Sequence, residues 1–227
     1  MNVITSANPF LDHASGKMPA HQQVYETLRA MILFGDLAPG QAVTIQGITA
    51  DLGAGMTPVR EALRRLIAEG ALTHQGNRRV SVPALTRDCI DELVFMRKTL
   101  EGDLTRRAAT RVDAADLEAI RNVEQDLNLA IDRGDIGGYL THNYRFHSLI
   151  YGRAGAPIMA ATVDRLWLRF GPSLRVVCGR FGTSNLPDKH KELLEAFEAC
   201  DADAAAAAMV QDVEQGMRQI EAALVGS

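Results

Sequence analysis

The stretch from Thr57 to Gly70 carries the arginines of this sequence that could most readily contact an anionic partner. Its apolar residues recur at helical spacing and predict one buried stripe, formed by Val59, Ala62, Leu63, Leu66 and Ile67. Arg60, Arg64 and Arg65 lie largely off that stripe and face solvent, where guanidinium groups can bind phosphates or base edges. The stretch is therefore a candidate nucleic-acid-binding helix. The alternative interpretation is an ordinary solvated basic face.

The sequence also predicts where this helix begins and ends. Thr57 can cap it with its hydroxyl, Pro58 suits the first helical position, and Gly70 suits the left-handed residue that ends it. A helix of about thirteen residues follows from these signals.

Arg97 and two polar residues on a later helix could bind a ligand. Arg97 is in register with apolar residues on either side, so we expect its guanidinium to point into the interior, where it needs an anion. That anion is either a bound ligand or a neighbouring carboxylate, Glu101 or Asp103. Asn143 and His147 are four residues apart and share one helical face, as two ligands of one metal must.

His190 and Asp212 interrupt the apolar stripes of two further predicted helices in the same way. Taken singly, each histidine is more commonly a hydrogen-bonded core residue than a ligand. The residues alone therefore leave both interpretations open.

These residues belong to a chain of 227 residues with a formal net charge of −4, a length that suits one large or two small domains. Residues 1–83 carry seven Lys and Arg against six Asp and Glu, whereas residues 84–227 carry seventeen against twenty-two. Five arginines and two glutamates lie between Pro58 and Pro83. Positive charge is thus concentrated on a short segment of an acidic protein, as on a DNA-facing surface.

The sequence predicts a cytoplasmic protein without a membrane partner. Residues 1–20 lack the basic start and the apolar run of a secretory signal. Charges or glycines interrupt each later apolar stretch before it reaches about eighteen residues. The three cysteines form no CxxC pair, which argues against a disulfide framework and a zinc knuckle.

The N-terminal part of the chain predicts a winged helix-turn-helix domain. An aperiodic tail over residues 1–16, which we expect to be disordered, precedes two short helices and the arginine helix. Residues 71–82 are strand-like around a central turn and predict a small β-hairpin. We expect one domain over residues 17–83, with the arginine helix in the major groove and the hairpin near phosphates or the minor groove.

Several motifs across this domain, in their order and spacing, resemble the GntR superfamily of bacterial transcriptional regulators. The motifs are VYETLR at 24–29, GDLAPG at 35–40, TPVREALRRL at 57–66 and the pair Glu69–Gly70. The resemblance implies a winged helix that reads operator DNA. It also implies a homodimer, which would place two winged helices on an approximate palindrome.

Two departures from the family pattern affect which DNA bases the protein can recognise. The family usually has an arginine just before the Thr57 position and another in the preceding short helix, where this chain has Met56 and Gln46. Arginine recognises guanine through two parallel hydrogen bonds, which neither Met nor Gln can reproduce. Of the three arginines that usually contact bases in this family, the chain therefore keeps only Arg60. The predicted DNA-binding residues are Gln46, Met56, Thr57, Arg60, Arg64, Gly76, Arg78 and Arg79.

Residues 84–227 predict an all-helical second domain. Helical stripes follow one another from residue 90 to residue 224, separated by glycines and prolines, with no convincing strand. Six helices of this length predict an antiparallel bundle. The predicted fold is therefore mainly α: an N-terminal winged helix-turn-helix with a small β-hairpin, followed by an all-α antiparallel six-helix bundle.

The second domain is similar to the FCD effector-binding domain of the FadR-type branch of GntR regulators. The similarity lies in residues 143–147, 155–157 and 190–197. In many members of this branch an Asp and a His four residues apart, with two later His, hold a divalent metal that helps to fix a small carboxylate effector. The resemblance implies effector binding and dimerisation by this domain.

The resemblance further implies a metal site made of Asn143, His147, His190 and Asp212, with Asn143 in the place of the usual Asp and Asp212 in that of the last His. Two imidazoles, a carboxylate and an amide oxygen would suit Zn, Ni or Mn and leave positions for an effector. The alternative is a metal-free pocket in which Arg97, Asn143 and the histidines bind an acid directly. The predicted effector-binding residues are Arg97, Asn143, Tyr144 and Arg169.

We therefore expect a ligand-responsive transcriptional regulator of bacterial metabolism, which is not an enzyme and binds a small carboxylate and a palindromic operator. One alternative is a helical metalloenzyme that uses His147, His190 and Asp212. The sequence shows no nucleophile motif, glycine-rich phosphate loop or evident general base to support that alternative. The other alternative is a regulator whose effector site no longer functions.

Overall fold

The computed structural model describes residues 18–75, 79–183 and 188–225 of the chain. Its N-terminal part is the predicted winged helix-turn-helix. The elements are α1 (Ala20–Leu33), β1 (Ala42–Val43), α2 (Ile45–Leu52), α3 (Met56–Ala68), β2 (Thr73–Gln75) and β3 (Arg79–Ser81). The tail predicted over residues 1–16 lies outside the described residues.

Helix α3 is the predicted arginine helix, but Thr57 does not cap it. The helix already includes Met56, and the capping position is Gly55, whose carbonyl accepts the Val59 N–H at 3.3 Å. Pro58 still lies in the first turn, where its missing N–H costs no hydrogen bond. The helix ends as predicted, because Gly70 has a φ of 75°.

A three-stranded antiparallel sheet packs beside these helices, in the order β1-β3-β2. Strands β2 and β3 form the predicted hairpin, with His74 opposite Val80. Strand β1 was not predicted because it is only two residues long; it pairs Val43 with Val80. Residues 76–78, which follow β2 and precede β3 in the sequence, lie outside the described residues, so the roles of Gly76 and Arg78 stay predictions.

The second part of the chain is the predicted six-helix bundle, within the residues that the structure describes. Helix α4 packs along α9, α5 along α6, and α8 against α9. The helices are α4 (Arg87–Ala109), α5 (Ala114–Arg133), α6 (Ile136–Arg153), α7 (Pro157–Phe181), α8 (His190–Glu198) and α9 (Ala202–Val225). Among the described residues, no helix is both long enough and apolar enough to span a lipid bilayer.

Local signals fix the ends of the helices that carry the polar interior residues. Helix α5 begins with a capping box, in which Asp113 and Asp116 each accept the backbone N–H of the other residue. Gly134 ends α5 with a φ of 65°, and Asp135 then caps α6 by accepting the Gly138 N–H at 3.0 Å. The connection between α5 and α6 is therefore tight, which aligns the two helices side by side.

Helix α7 joins the bundle to the winged helix by packing against α1. At Gly171 the two backbones approach so closely that an added Cβ would lie 2.3 Å from the carbonyl oxygen of Leu33. Arg175, one turn further along α7, donates a hydrogen bond to the carbonyl of Phe34 at 3.2 Å. Glycine at position 171 is thus a requirement of the packing between the two parts of the chain.

We predict that Gly171→Ala lowers the free energy of unfolding by about 1–3 kcal/mol, because the new methyl group overlaps the α1 backbone. Gly179→Ala in the same helix is the matched control, because an added Cβ there meets no atom within 4 Å. This control should raise the free energy of unfolding by up to about 1 kcal/mol through helix propensity. Urea denaturation measures both values; equal effects of the two changes would contradict the packing described.

Candidate functional site

Helix α3 presents its polar face to solvent, as a DNA-contacting helix requires. Val59, Ala62, Leu63 and Leu66 are buried, whereas the predicted readers Thr57, Arg60 and Arg64 are exposed. Met56 is 49% exposed at the start of the helix. Gln46 on α2 and Arg79 on β3 are exposed as well. Arg60 makes no ion pair with any described residue, whereas Arg64 pairs with Glu61 at 2.9 Å.

Arg65 differs from the other arginines of α3 because it is fixed against the winged helix itself. Its guanidinium lies 3.6 Å from the centre of the Tyr25 ring and donates to Glu69 at 3.0 Å. The Tyr25 hydroxyl donates to the same carboxylate at 2.8 Å. Burial and this hydrogen bond raise the pKa of Tyr25. Arg65 therefore stabilises the packing of α3 on α1.

The bundle brings the donor atoms of three of the four predicted metal ligands close to one another. His147 on α6, His190 on α8 and Asp212 on α9 each offer one donor atom, and these atoms lie within 4.8 Å of one another. The Asp212 carboxylate lies 3.4 Å from Nε2 of His147 and 3.8 Å from Nε2 of His190. The side chains of the two histidines are 1% exposed and that of Asp212 is 12% exposed.

Asn143, the fourth predicted ligand, lies one turn before His147 on α6 and lines the same cavity. The cavity walls come from α4, α6, α7, α9 and the segment before α8, and include Arg97, Tyr139, Asn143, His147, Trp167, Phe170, Leu174, Asp188, Asp212, Gly216, Gln219 and Ile220.

The electrostatics of this cluster favour a positive charge between its members. Burial alone would raise the pKa of Asp212, but the hydrogen bond with His147 and the charges of His147 and His190 hold that pKa well below its usual value. Burial acts to lower the pKa of His190, whereas its hydrogen bond with Glu124 and the carboxylate of Asp212 raise it above the usual value. A proton on an imidazole or a bound metal cation would supply this positive charge.

Arg97 is buried, as predicted, and its anionic partner is the neighbouring Glu101. Nε and Nη2 of Arg97 donate to Glu101 at 2.6 and 3.1 Å. The guanidinium also lies 3.9 Å from the centre of the Phe170 ring. Glu101 is one of the two carboxylates considered as partners of this arginine, and Arg97 also lines the cavity.

The other two predicted effector-binding residues lie beside the winged helix and do not line the cavity. The Tyr144 hydroxyl donates to Asp164 and accepts a hydrogen bond from Arg29 of α1 at 3.2 Å. The Arg169 guanidinium lies against Gly70, at the end of α3. The physical reason is that these side chains project from faces of α6 and α7 that pack on the N-terminal domain.

Sequence reasoning missed two partners of the histidines. Nδ1 of His147 lies 2.9 Å from the hydroxyl of Tyr151, and Nδ1 of His190 lies 2.7 Å from a carboxylate oxygen of Glu124. The spacing of Tyr151, one turn after His147, is a local signal that could have indicated the first contact. Glu124 comes from a different helix, and no local spacing points to it.

Comparison with known proteins agrees with this architecture. Residues 20–82 match the bacterial regulatory proteins of the gntR family, and residues 92–215 match the FCD domain. The chain belongs to the GntR family. It is a GntR regulator with an FCD domain, and the resemblance noted in its motifs is confirmed.

Two curated relatives and one solved structure illustrate the similarity of this GntR regulator to characterised proteins. It is 27% identical over 198 residues to the HTH-type transcriptional regulator McbR of Escherichia coli (strain K12), covering 86% of this chain and 90% of McbR. It is 24% identical over 227 residues to the HTH-type transcriptional repressor RspR of the same organism, covering 97% and 95%. The structure of E. coli McbR/YncC superposes with a TM-score of 0.84 at 26% identity, covering 91% of this chain and 99% of that one.

These matches establish the class of protein. The family and the named relatives are transcriptional regulators, not enzymes, which confirms the class predicted from the sequence. Members of the family bind DNA, so DNA is the partner of the winged helix.

We predict that Arg65→Ala lowers the free energy of unfolding by about 1 kcal/mol, because it removes the stacking on Tyr25 and the hydrogen bond to Glu69. Arg64→Ala is the neighbouring control, since that side chain is 76% exposed, and it should change stability by less than about 0.5 kcal/mol. Urea denaturation without DNA compares them. If Arg64→Ala lowers the free energy of unfolding as much as Arg65→Ala does, the stacking of Arg65 on Tyr25 does not stabilise the fold.

Proposed function

We propose that this regulator binds a palindromic operator as a homodimer and senses a small carboxylate in its bundle through a bound divalent metal. The observation that carries the proposal is the meeting of two buried imidazoles and a carboxylate, His147, His190 and Asp212, from three different helices. Nothing in the packing of an apolar bundle requires such a cluster, because buried polar groups cost free energy unless they are paired.

The donor set suits a transition metal. Nε2 of His190 is buried and has no hydrogen-bond partner among the described residues, although a buried polar atom is normally paired. Two imidazole nitrogens and a carboxylate oxygen are typical ligands of Zn, Ni or Mn, and the amide oxygen of Asn143 is a candidate fourth ligand. When bound, such a metal supplies Lewis-acid attraction for the carboxylate of an effector.

The cavity beside the cluster has polar groups that could orient a small carboxylate next to a bound metal. Arg97, which is paired with Glu101, lines its wall together with the carboxylates of Asp188 and Asp212, and Trp167 and Phe170 contribute aromatic surface. The Trp167 indole Nε1 is buried without a hydrogen-bond partner in the described part of the chain. A small carboxylate could accept from such donors while its apolar part contacts the rings.

Operator binding is assigned to the exposed face of α3, with Met56, Thr57, Arg60 and Arg64, and to Gln46 on α2. Arg79, with Gly76 and Arg78 before it in the sequence, is assigned to the phosphates. Arg60 is the arginine best suited to read a guanine, because it is exposed and forms no ion pair with a described residue. Met56 and Gln46 cannot supply the arginine fork, so we expect an operator that differs from the usual family sequence.

Effector binding can alter operator affinity only if the effector binds two arrangements of the winged helices with different affinity. Helix α7 supports such a link, since Trp167 and Phe170 line the cavity while Gly171 contacts α1. A change in the cavity wall therefore acts on the helix that carries the N-terminal domain.

We predict that Arg60→Ala weakens binding to the operator about 5- to 150-fold, the range for losing one bidentate base contact. Arg60→Lys should keep the charge but lose the discrimination among bases at that position. Fluorescence anisotropy with operator and mutated operator measures both effects. Arg121→Ala, on the bundle surface where it pairs with Glu198, is the control and should bind normally. Wild-type affinity in Arg60→Ala would contradict the assignment.

We predict about one equivalent of metal per chain in protein purified without chelator or metal-affinity tag, and its loss in His147→Ala, because that change removes one of the two imidazole ligands. Inductively coupled plasma mass spectrometry measures the content after incubation with Zn, Ni or Mn. His21→Ala removes an exposed histidine of α1 and should keep the metal. Metal-free wild-type protein after such incubation would rule out the proposed site.

A further inference from the structure

A continuous chain of hydrogen bonds leads from the buried ion pair of α4 to the first histidine. Arg97 donates to Glu101 through two nitrogens, and the Tyr151 hydroxyl donates to the same carboxylate. The oxygen of that hydroxyl lies 2.9 Å from Nδ1 of His147. Arg97, Glu101, Tyr151 and His147 are all buried.

The direction of each hydrogen bond in this chain follows from the chemistry of its members. A carboxylate paired with arginine can only accept, so the single proton of the Tyr151 hydroxyl is directed at Glu101. The Tyr151 oxygen is then left to accept, and the donor that faces it is Nδ1 of His147. When the His147 ring binds a metal, its proton therefore belongs on Nδ1, and Nε2 offers its lone pair to the metal beside Asp212.

In His190 the proton is also placed on Nδ1, but by a different partner. Its Nδ1 lies 2.7 Å from a carboxylate oxygen of Glu124, which again can only accept. The ring of Phe146 stacks on the imidazole with centroids 4.0 Å apart and an interplanar angle of 15°, which limits its rotation. Nε2 of His190 is the buried atom without a partner among the described residues, and it lies 3.8 Å from Asp212.

We propose that Tyr151, held by Glu101 and Arg97, and Glu124 are positioning residues that keep the proton of each histidine on Nδ1 and present both Nε2 atoms to one metal beside Asp212. This inference rests on the metal site in the proposed function. It gives Arg97 a second role, because its charge keeps Glu101 an acceptor and so fixes the orientation of His147.

The test compares zinc affinity in wild-type protein, Tyr151→Phe and Tyr25→Phe, by competition with a chromophoric chelator. Tyr151→Phe keeps the ring but removes the hydroxyl, so the imidazole of His147 loses its outer partner and zinc affinity should fall about 10- to 100-fold. Tyr25→Phe is matched to it, because it also removes a hydroxyl that donates to a carboxylate, Glu69, but in the winged helix. Its zinc affinity should equal that of the wild type.

A second readout is independent of affinity. In zinc-loaded wild-type protein, ¹⁵N spectra of the histidine side chains should show a protonated Nδ1 and a metal-bound Nε2 for both His147 and His190. Glu124→Gln provides a variant at the other histidine: the amide oxygen can still accept, so its loss of zinc affinity should be smaller than that of Glu124→Ala. Circular dichroism establishes that each variant is folded.

The outcomes separate this inference from the proposed function. Unchanged zinc affinity in folded Tyr151→Phe and Glu124→Ala, or zinc on Nδ1 of either histidine, would overturn the positioning role while the metal site stands. If wild-type protein binds no zinc at His147 and His190, the metal site fails and the positioning role fails with it.

Discussion

The buried ion pair between Arg97 and Glu101 is the interaction on which the arrangement of the bundle interior depends. Their side chains are 5% and 0% exposed, and breaking such a pair leaves a buried charge at a cost of about 3–5 kcal/mol. Each charged group is therefore stabilised by further contacts. The guanidinium packs on the Phe170 ring, and the carboxylate accepts a hydrogen bond from the Tyr151 hydroxyl. This demand fixes α4, α6 and α7 relative to one another. It also sets the orientation of His147, which contacts Tyr151.

Helix α7 links that interior to the DNA-binding domain. Trp167 and Phe170 form part of the cavity wall, while Asp164 pairs with Arg29 of α1 and Gly171 lies against Leu33. Interfaces packed this closely shift between discrete arrangements and do not deform continuously. In the proposed function, this helix is the element through which a ligand in the cavity would act on the winged helix.

Much of this architecture could be predicted from local sequence. The apolar stripe of α3, the stop at Gly70 and the strand-like residues after it indicated the winged helix, and the helical periodicities indicated the bundle. Two local details were wrong or not predicted: the capping position is Gly55 and not Thr57, and strand β1 is too short to show a pattern. Tyr144 and Arg169 could not be located because the packing of the two domains determines what they contact. Glu124 was missed because it lies on α5 and its partner His190 on α8, so no local spacing links them.

We propose that the bundle of this regulator holds one metal between His147, His190 and Asp212. The most direct measurement is a crystal structure of the protein grown with zinc, with anomalous diffraction recorded at the zinc absorption edge. We expect one strong anomalous peak per chain, about 2.0–2.2 Å from both Nε2 atoms and from a carboxylate oxygen of Asp212. The site would be ruled out by anomalous peaks confined to surface histidines. It would also be ruled out if these three side chains were directly hydrogen-bonded to one another with no metal density between them.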